Sequence, residues 1–147
     1  MDDAAHRKLG AKTYNRCWEL LEQPERTSDD DLLLLTLAFT SKYHWSFVAG
    51  PKETTIGNWM IARAAAAGGE GHLALTYARI ADAAAQAPDM EDWLVASTAE
   101  GVARAYAASG DLASRDEWFE KAERLVAHIK DRESRELIAS QLASVPR

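Results

Sequence analysis

An all-α fold of about seven helices follows from three features of the sequence. The residues between the prolines are rich in Ala, Leu, Glu and Arg, all strong helix formers. The prolines, at Pro24, Pro51, Pro88 and Pro146, stand where helices should meet, since one inside a helix costs about 3 kcal/mol. Strand signals are missing: no stretch alternates apolar and polar residues with period two, and no Asn-Gly or Asp-Gly pair marks a hairpin.

Each element then has its own justification. The first helix spans about Ala4 to Glu22, with Leu9, Tyr14, Cys17, Trp18 and Leu21 as its apolar stripe. Ser28 is a cap for the second, and Asp29, Asp30 and Asp31 suit the positive end of its dipole. This helix runs to about Phe47. Leu32, Leu33, Leu34, Leu35, Leu37 and Phe39 leave it little polar face, which predicts burial on most sides, with Leu33, Leu34, Leu37 and Trp45 among the deepest residues. A third helix, about Thr55 to Ala67, stops at Gly68-Gly69, and a fourth runs from about Glu70 to Ala87. Asp89 with Asp92 resembles a capping pair for a fifth helix ending near Ser109-Gly110. The sixth covers about Leu112 to Ile129. Asp131 caps the last, whose narrow stripe of Leu137, Ile138, Leu142 and Val145 suits a terminal helix with one buried side.

With 147 residues, the chain has the length of one domain. Apolar residues at 47% and charged residues at 27% support a packed core, and the net charge of -6 argues against nucleic-acid binding. The most apolar run, Leu32 to Phe39, is far short of the ~20 residues that cross a bilayer, so no membrane partner is expected. Cys17 is the one cysteine, and Met1 to Arg7 is polar and acidic rather than basic and then apolar. A cytoplasmic setting is the expectation.

An internal repeat gives the organisation. Ala62 to Glu70 matches Ala103 to Asp111 at a constant offset of 41 residues, so helices three and four form one unit and five and six another. The units are 54–88 and 89–130, preceded by a helix pair in 1–50 and closed by a capping helix in 131–147. Paired helices that cannot bury their apolar faces alone stack side by side, which predicts a short right-handed solenoid with a concave wall.

Ala103, Tyr106, Gly110-Asp111, Phe119 and Ala122, with the weaker copy Ala62, Gly69, Ala74, Ala78 and Ala81, resemble the tetratricopeptide repeat family over Ile56 to Val126. Arg115 departs from that pattern where a small residue is usual, and Ala65 and Ala78 depart where aromatics are usual. Trp18 to Thr27 and Ser41 to Trp45 resemble a group of small uncharacterised bacterial tetratricopeptide-like proteins, to which no activity attaches. The family resemblance implies that Ile56, Trp59, Arg63 and Ala66 face the concave wall in one unit, and Ser97, Glu100, Arg104 and Ala107 in the next. Arg63 and Arg104 then occupy equivalent places, where two guanidinium forks suit a carboxylate, a phosphate or a peptide terminus, or else belong to an intramolecular ion-pair ladder in which Glu100 neutralises Arg104.

Three functions are consistent with this pattern. The first is a non-catalytic module that binds a peptide, a protein partner or an anionic small molecule through Trp59, Arg63, Arg104 and His44. The second is a small cofactor-free enzyme with His44, Tyr43 and Glu100 as acid and base groups beside Arg63, since a histidine titrates near neutrality. The third is self-association as a homo-oligomer through an uncapped end of the solenoid. No cofactor or metal is expected: His6, His44, His72 and His128 lack ligand spacing, and Gly68-Gly69-Glu70-Gly71 lacks the Lys-Ser or Lys-Thr of a phosphate loop. Cys17 reads as a small hydrophobe, Glu100 with Arg104 as a solvated surface pair, and Trp59 and Trp93 as the exposed tryptophans.

Overall fold

The computed structural model covers residues 1–147 and contains seven helices and no strand. Helix α1, Asp3–Leu21, begins where the Asp2 carboxylate accepts the Ala5 N–H at 2.8 Å. Helix α2, Ser28–Trp45, is capped by Thr27 rather than Ser28, because Thr27 is the last residue with extended backbone. Thr27 and Asp30 exchange hydrogen bonds of 3.0 and 3.1 Å in a capping box. Helix α3, Pro51–Ala67, starts a turn before Thr55: proline at the first helical position gives up no hydrogen bond, so Pro51 opens this helix instead of separating two. Gly69, at φ +77°, makes the turn into α4, Gly71–Ala85.

Helix α5, Asp92–Ser109, lacks the Asp89/Asp92 cap expected of it. The Asp92 carboxylate is used elsewhere, accepting the Lys130 N–H at 3.0 Å and so tying the start of α5 to the turn before α7. Helix α6, Leu112–Ala127, and helix α7, Arg132–Ala143, are capped by Asp111 and Asp131, which accept the N–H groups of Ser114 and Ser134. No helix is long and apolar enough to cross a membrane.

Each helix packs on the next, and α1, α3, α5 and α7 also touch in succession. The centre is α5, buried at every position from Ala96 to Tyr106, because it lies against α3, α4, α6 and α7. This corrects the expectation for α2, whose backbone lies against α1 and α3 and which reaches α4 through Phe39 and Lys42 on the Tyr77 ring. Leu34 is fully buried, Leu37 and Trp45 are partly buried, and Leu33 is 42% exposed. The apolar residues of α2 outnumber the positions its two neighbours can cover.

A seam of small side chains joins α3, α4 and α5: Ala62, Ala65, Ala74, Ala78 and Ala105 pack around Val102 and Tyr106. The approach is close enough that a Cβ on Gly71 would lie 2.8 Å from the Ala108 carbonyl oxygen and the Ser109 Cα. Arg115, the bulky departure from the small-residue pattern, is buried with a use of its own. It bonds to Asp116 at 3.0 Å and donates to the Pro146 carbonyl at 3.2 Å, holding the carboxyl-terminal segment against α6.

Candidate functional site

Helices α1, α3, α5 and α7 supply successive side chains to two cavities on one side of the molecule. The first, about 410 Å³, is apolar and aromatic, lined by Tyr14, Trp18, Ile56, Trp59, Trp93, Leu94, Leu137 and Ile138, with Glu22, Ser97 and Gln141 as polar members. The second, about 370 Å³, is lined by Arg26, Arg63 and Arg104 with Leu21, Ala66, Ala67, Ala107, Ala108, Ser144 and Pro146. Both lie within the size range of small-ligand pockets.

A buried cluster lies among the residues that line the two. Glu100 is fully buried, which corrects the reading of a solvated surface pair: its helix is wrapped on all sides, so the i, i+4 partner at Arg104 is inside as well. Arg104 donates to Glu100 Oε1 from Nε at 2.8 Å and lies 2.6 Å from it through Nη2. Its remaining donors reach α7, with the Gln141 carbonyl at 2.9 Å and the Ser144 hydroxyl at 2.7 Å. Arg104 thus uses Nε and Nη2 fully, with Nη1 left only the Ser144 carbonyl at 3.5 Å, and it fastens the end of α7 to α5.

Arg63 is held differently. Its Nη1 lies 3.5 Å from Glu100 Oε1, too far for a hydrogen bond, and has no other partner although it is buried. The guanidinium carbon instead sits 5.7 Å from the Trp18 ring centre and 6.0 Å from that of Trp59, a cation–π arrangement with two indoles. Burial, followed by repulsion from Arg104, pulls its pKa down to about 10 against the attraction of Glu100, with Arg26 adding to the depression. It stays charged at neutral pH. Because Arg26 is neutralised by Asp31 at 2.8 Å, two guanidinium groups share one carboxylate and one positive charge is left over.

Trp59 is not exposed. It is 5% accessible, its indole N–H donates to the Ser97 carbonyl at 3.0 Å, and its ring stands 5.8 Å from that of Trp18. Gly101 gives it room, since a Cβ there would be 3.0 Å from the Trp59 ring. Trp93 is partly buried at the cavity wall.

The structure thus brings together Trp59, Arg63, Glu100 and Arg104, and leaves His44 and Tyr43 out. His44 lines neither cavity. Its Nδ1 lies 3.0 Å from His6 Nδ1, and His6 is stacked on Phe47, so this pair belongs to a separate ring cluster at the end of α2. Tyr43 is 61% exposed and packs edge-on against His44 and Phe47. The acid and base groups expected beside Arg63 are therefore distributed over two places, because His44 follows the direction of α2 and α2 adds nothing to the cavity walls. Cys17 is buried and its thiol is pushed up to about 12 by burial, the state of an inert packing residue.

Sequence reasoning missed Tyr14, Trp18, Arg26, Gln141 and Ser144. The 41-residue offset does not reach the first or last helix, so no signal assigned those residues to the wall. Gly101, an unforced glycine inside a strong helix, was the one available hint that a bulky ring lies close by. Comparison by family model, with curated sequences and with solved structures finds no match.

Proposed function

We propose that this chain is a short tetratricopeptide-like solenoid that acts as a non-catalytic binding module, taking a ligand with a single anionic end in the groove walled by α1, α3, α5 and α7. Contact between successive odd-numbered helices, each of which also packs on its neighbours in the chain, supports the solenoid. The observation that carries the function is Arg63, a desolvated guanidinium sharing its one counter-ion and making no hydrogen bond with that group. A carboxylate in the arginine-lined cavity supplies what Arg63 lacks, and the aromatic cavity beside it accepts an apolar body. The ligand is then a small acid, or the carboxyl end of a peptide or protein partner, with an apolar group close to its charge. The lone unpaired thiol of Cys17 accords with a cytoplasmic setting.

Isothermal titration with octanoate and with octanamide tests this reading. The acid should bind at least about tenfold more tightly than the amide, and Arg63→Gln should remove that preference while leaving the helical spectrum unchanged. Equal binding of acid and amide, or an unchanged preference in the variant, would refute it.

A further inference from the structure

We propose that the outer face of α2 is a twofold interface between two copies of this chain, with the two α2 helices packed side by side in opposite directions. Five of the chain's large exposed apolar residues stand on this helix or just past its end: Leu32 at 65%, Leu33 at 42%, Phe39 at 36%, Tyr43 at 61% and Phe47 at 51%. Leu32, Phe39 and Tyr43 fall within about 40° of one another around a helix, with Thr36 beside them, so they form one straight stripe. No residue from 32 to 41 is charged, in a chain that is 27% charged. Leu32, Leu33, Thr36 and Phe39 are the exposed members of this stretch, and solvent gives no reason for that surface to be free of charge.

Polar chemistry on the stripe is already satisfied. The Thr36 hydroxyl donates to the Leu32 carbonyl at 3.0 Å and the Thr40 hydroxyl to the Thr36 carbonyl at 2.7 Å, so neither needs a partner across an interface. What covers this face must therefore be apolar along its middle. Its ends carry opposite signs, with Asp29 and Asp30 in the first turn of α2, where Asp31 is already paired with Arg26, and Lys42 in the last. Such a face is complementary to itself when one copy is turned end for end: acidic end meets basic end, Leu32 meets Tyr43 of the other copy, and the helix dipoles oppose. The pairing also accounts for a helix whose apolar residues lie on all sides. One side packs on α1 and α3, Phe39 rests edge-on against Tyr77 of α4 at 5.4 Å, and the part of the stripe left exposed packs on the second copy. Because α2 contributes nothing to either cavity, both grooves of the dimer stay open.

Sedimentation equilibrium of the full chain over about 1–100 µM, a range that spans ordinary dimer affinities, tests the proposal. The wild-type chain should shift from monomer to dimer within that range. Phe39→Glu should weaken the dimer roughly thirtyfold or more, as expected for a charge forced into the centre of an interface, and should leave the helical spectrum unchanged. Orientation is read by disulfide trapping: Leu32→Cys mixed with Tyr43→Cys should give the mixed disulfide in preference to either homodisulfide, since two copies of position 32 would lie about 16 Å apart. A chain that stays monomeric throughout, a dimer that survives Phe39→Glu unchanged, or a predominance of homodisulfides would each overturn the proposal.

Discussion

Replacing Glu100 with glutamine removes the one anion that Arg63 and Arg104 share while keeping the shape of the side chain. Contacts of 2.6 and 3.5 Å correspond to gross attractions of about 6 and 5 kcal/mol at an effective dielectric of ~20, most of which is offset by the desolvation of three buried charges. Removing one partner of such a cluster costs about 3–5 kcal/mol, and since the amide oxygen still accepts from Arg104, the lower end, about 3 kcal/mol, is expected. For a chain of this length that is a fall of about 10 °C in melting temperature. Urea denaturation followed by circular dichroism measures it. Two bare guanidinium groups then repel, so the double variant Glu100→Gln, Arg63→Gln should be more stable than Glu100→Gln alone. A loss below about 1 kcal/mol for the single variant, or a double variant no better than the single, would refute the reading of a shared and insufficient counter-ion.

Leu34→Ala should cost about 2–5 kcal/mol in the same assay and Leu33→Ala no more than about 0.5, a contrast that follows from full burial of one and 42% exposure of its neighbour. Gly71→Ala should cost about 1–3 kcal/mol, because the added methyl meets backbone that cannot swing aside. Cys17 gives a pH dependence: its thiol ionises near about 9 in the unfolded chain and at about 12 in the fold, so above pH 9 the folded state holds the extra proton and stability falls as pH rises towards 12. Tyr14, also raised by burial, adds to this slope, and Cys17→Ala should flatten it in alkaline urea titrations without abolishing it.

Helix existence was legible from local chemistry. Asp131, Asp111 and Gly110 each act within one turn of their own position, and such signals survive whatever the tertiary structure does. Burial was less legible. Apolar residues on every side of α2 told only that it should be covered, whereas the centre went to α5, whose alanines allow close approach by its neighbours. Glu100 and Arg104 have the spacing of a surface pair and lie inside for the same reason: which helix is wrapped depends on contacts far apart in sequence. The equivalence of Arg63 and Arg104 across the repeat was readable, but their different fates were not. Arg104 meets the carbonyls of α7, and Arg63 meets two indoles, one of them on α1, beyond the reach of the repeat.

The alanine seam between α3, α4 and α5 makes the tolerance of the sequence to change lopsided. A residue with a single methyl has almost nothing to lose, so truncation there opens little empty space, while enlargement drives a side chain into a backbone that three helices hold in place. Drift at Ala62, Ala65, Ala74, Ala78 and Ala105 is thus confined to a narrow lane between glycine and alanine. The exposed sides of α4 and α6 carry no such restriction and are free to diverge. The spacing of α3 and α5, and with it the distance between the cavity walls they supply, is therefore set by side-chain size rather than by any one contact.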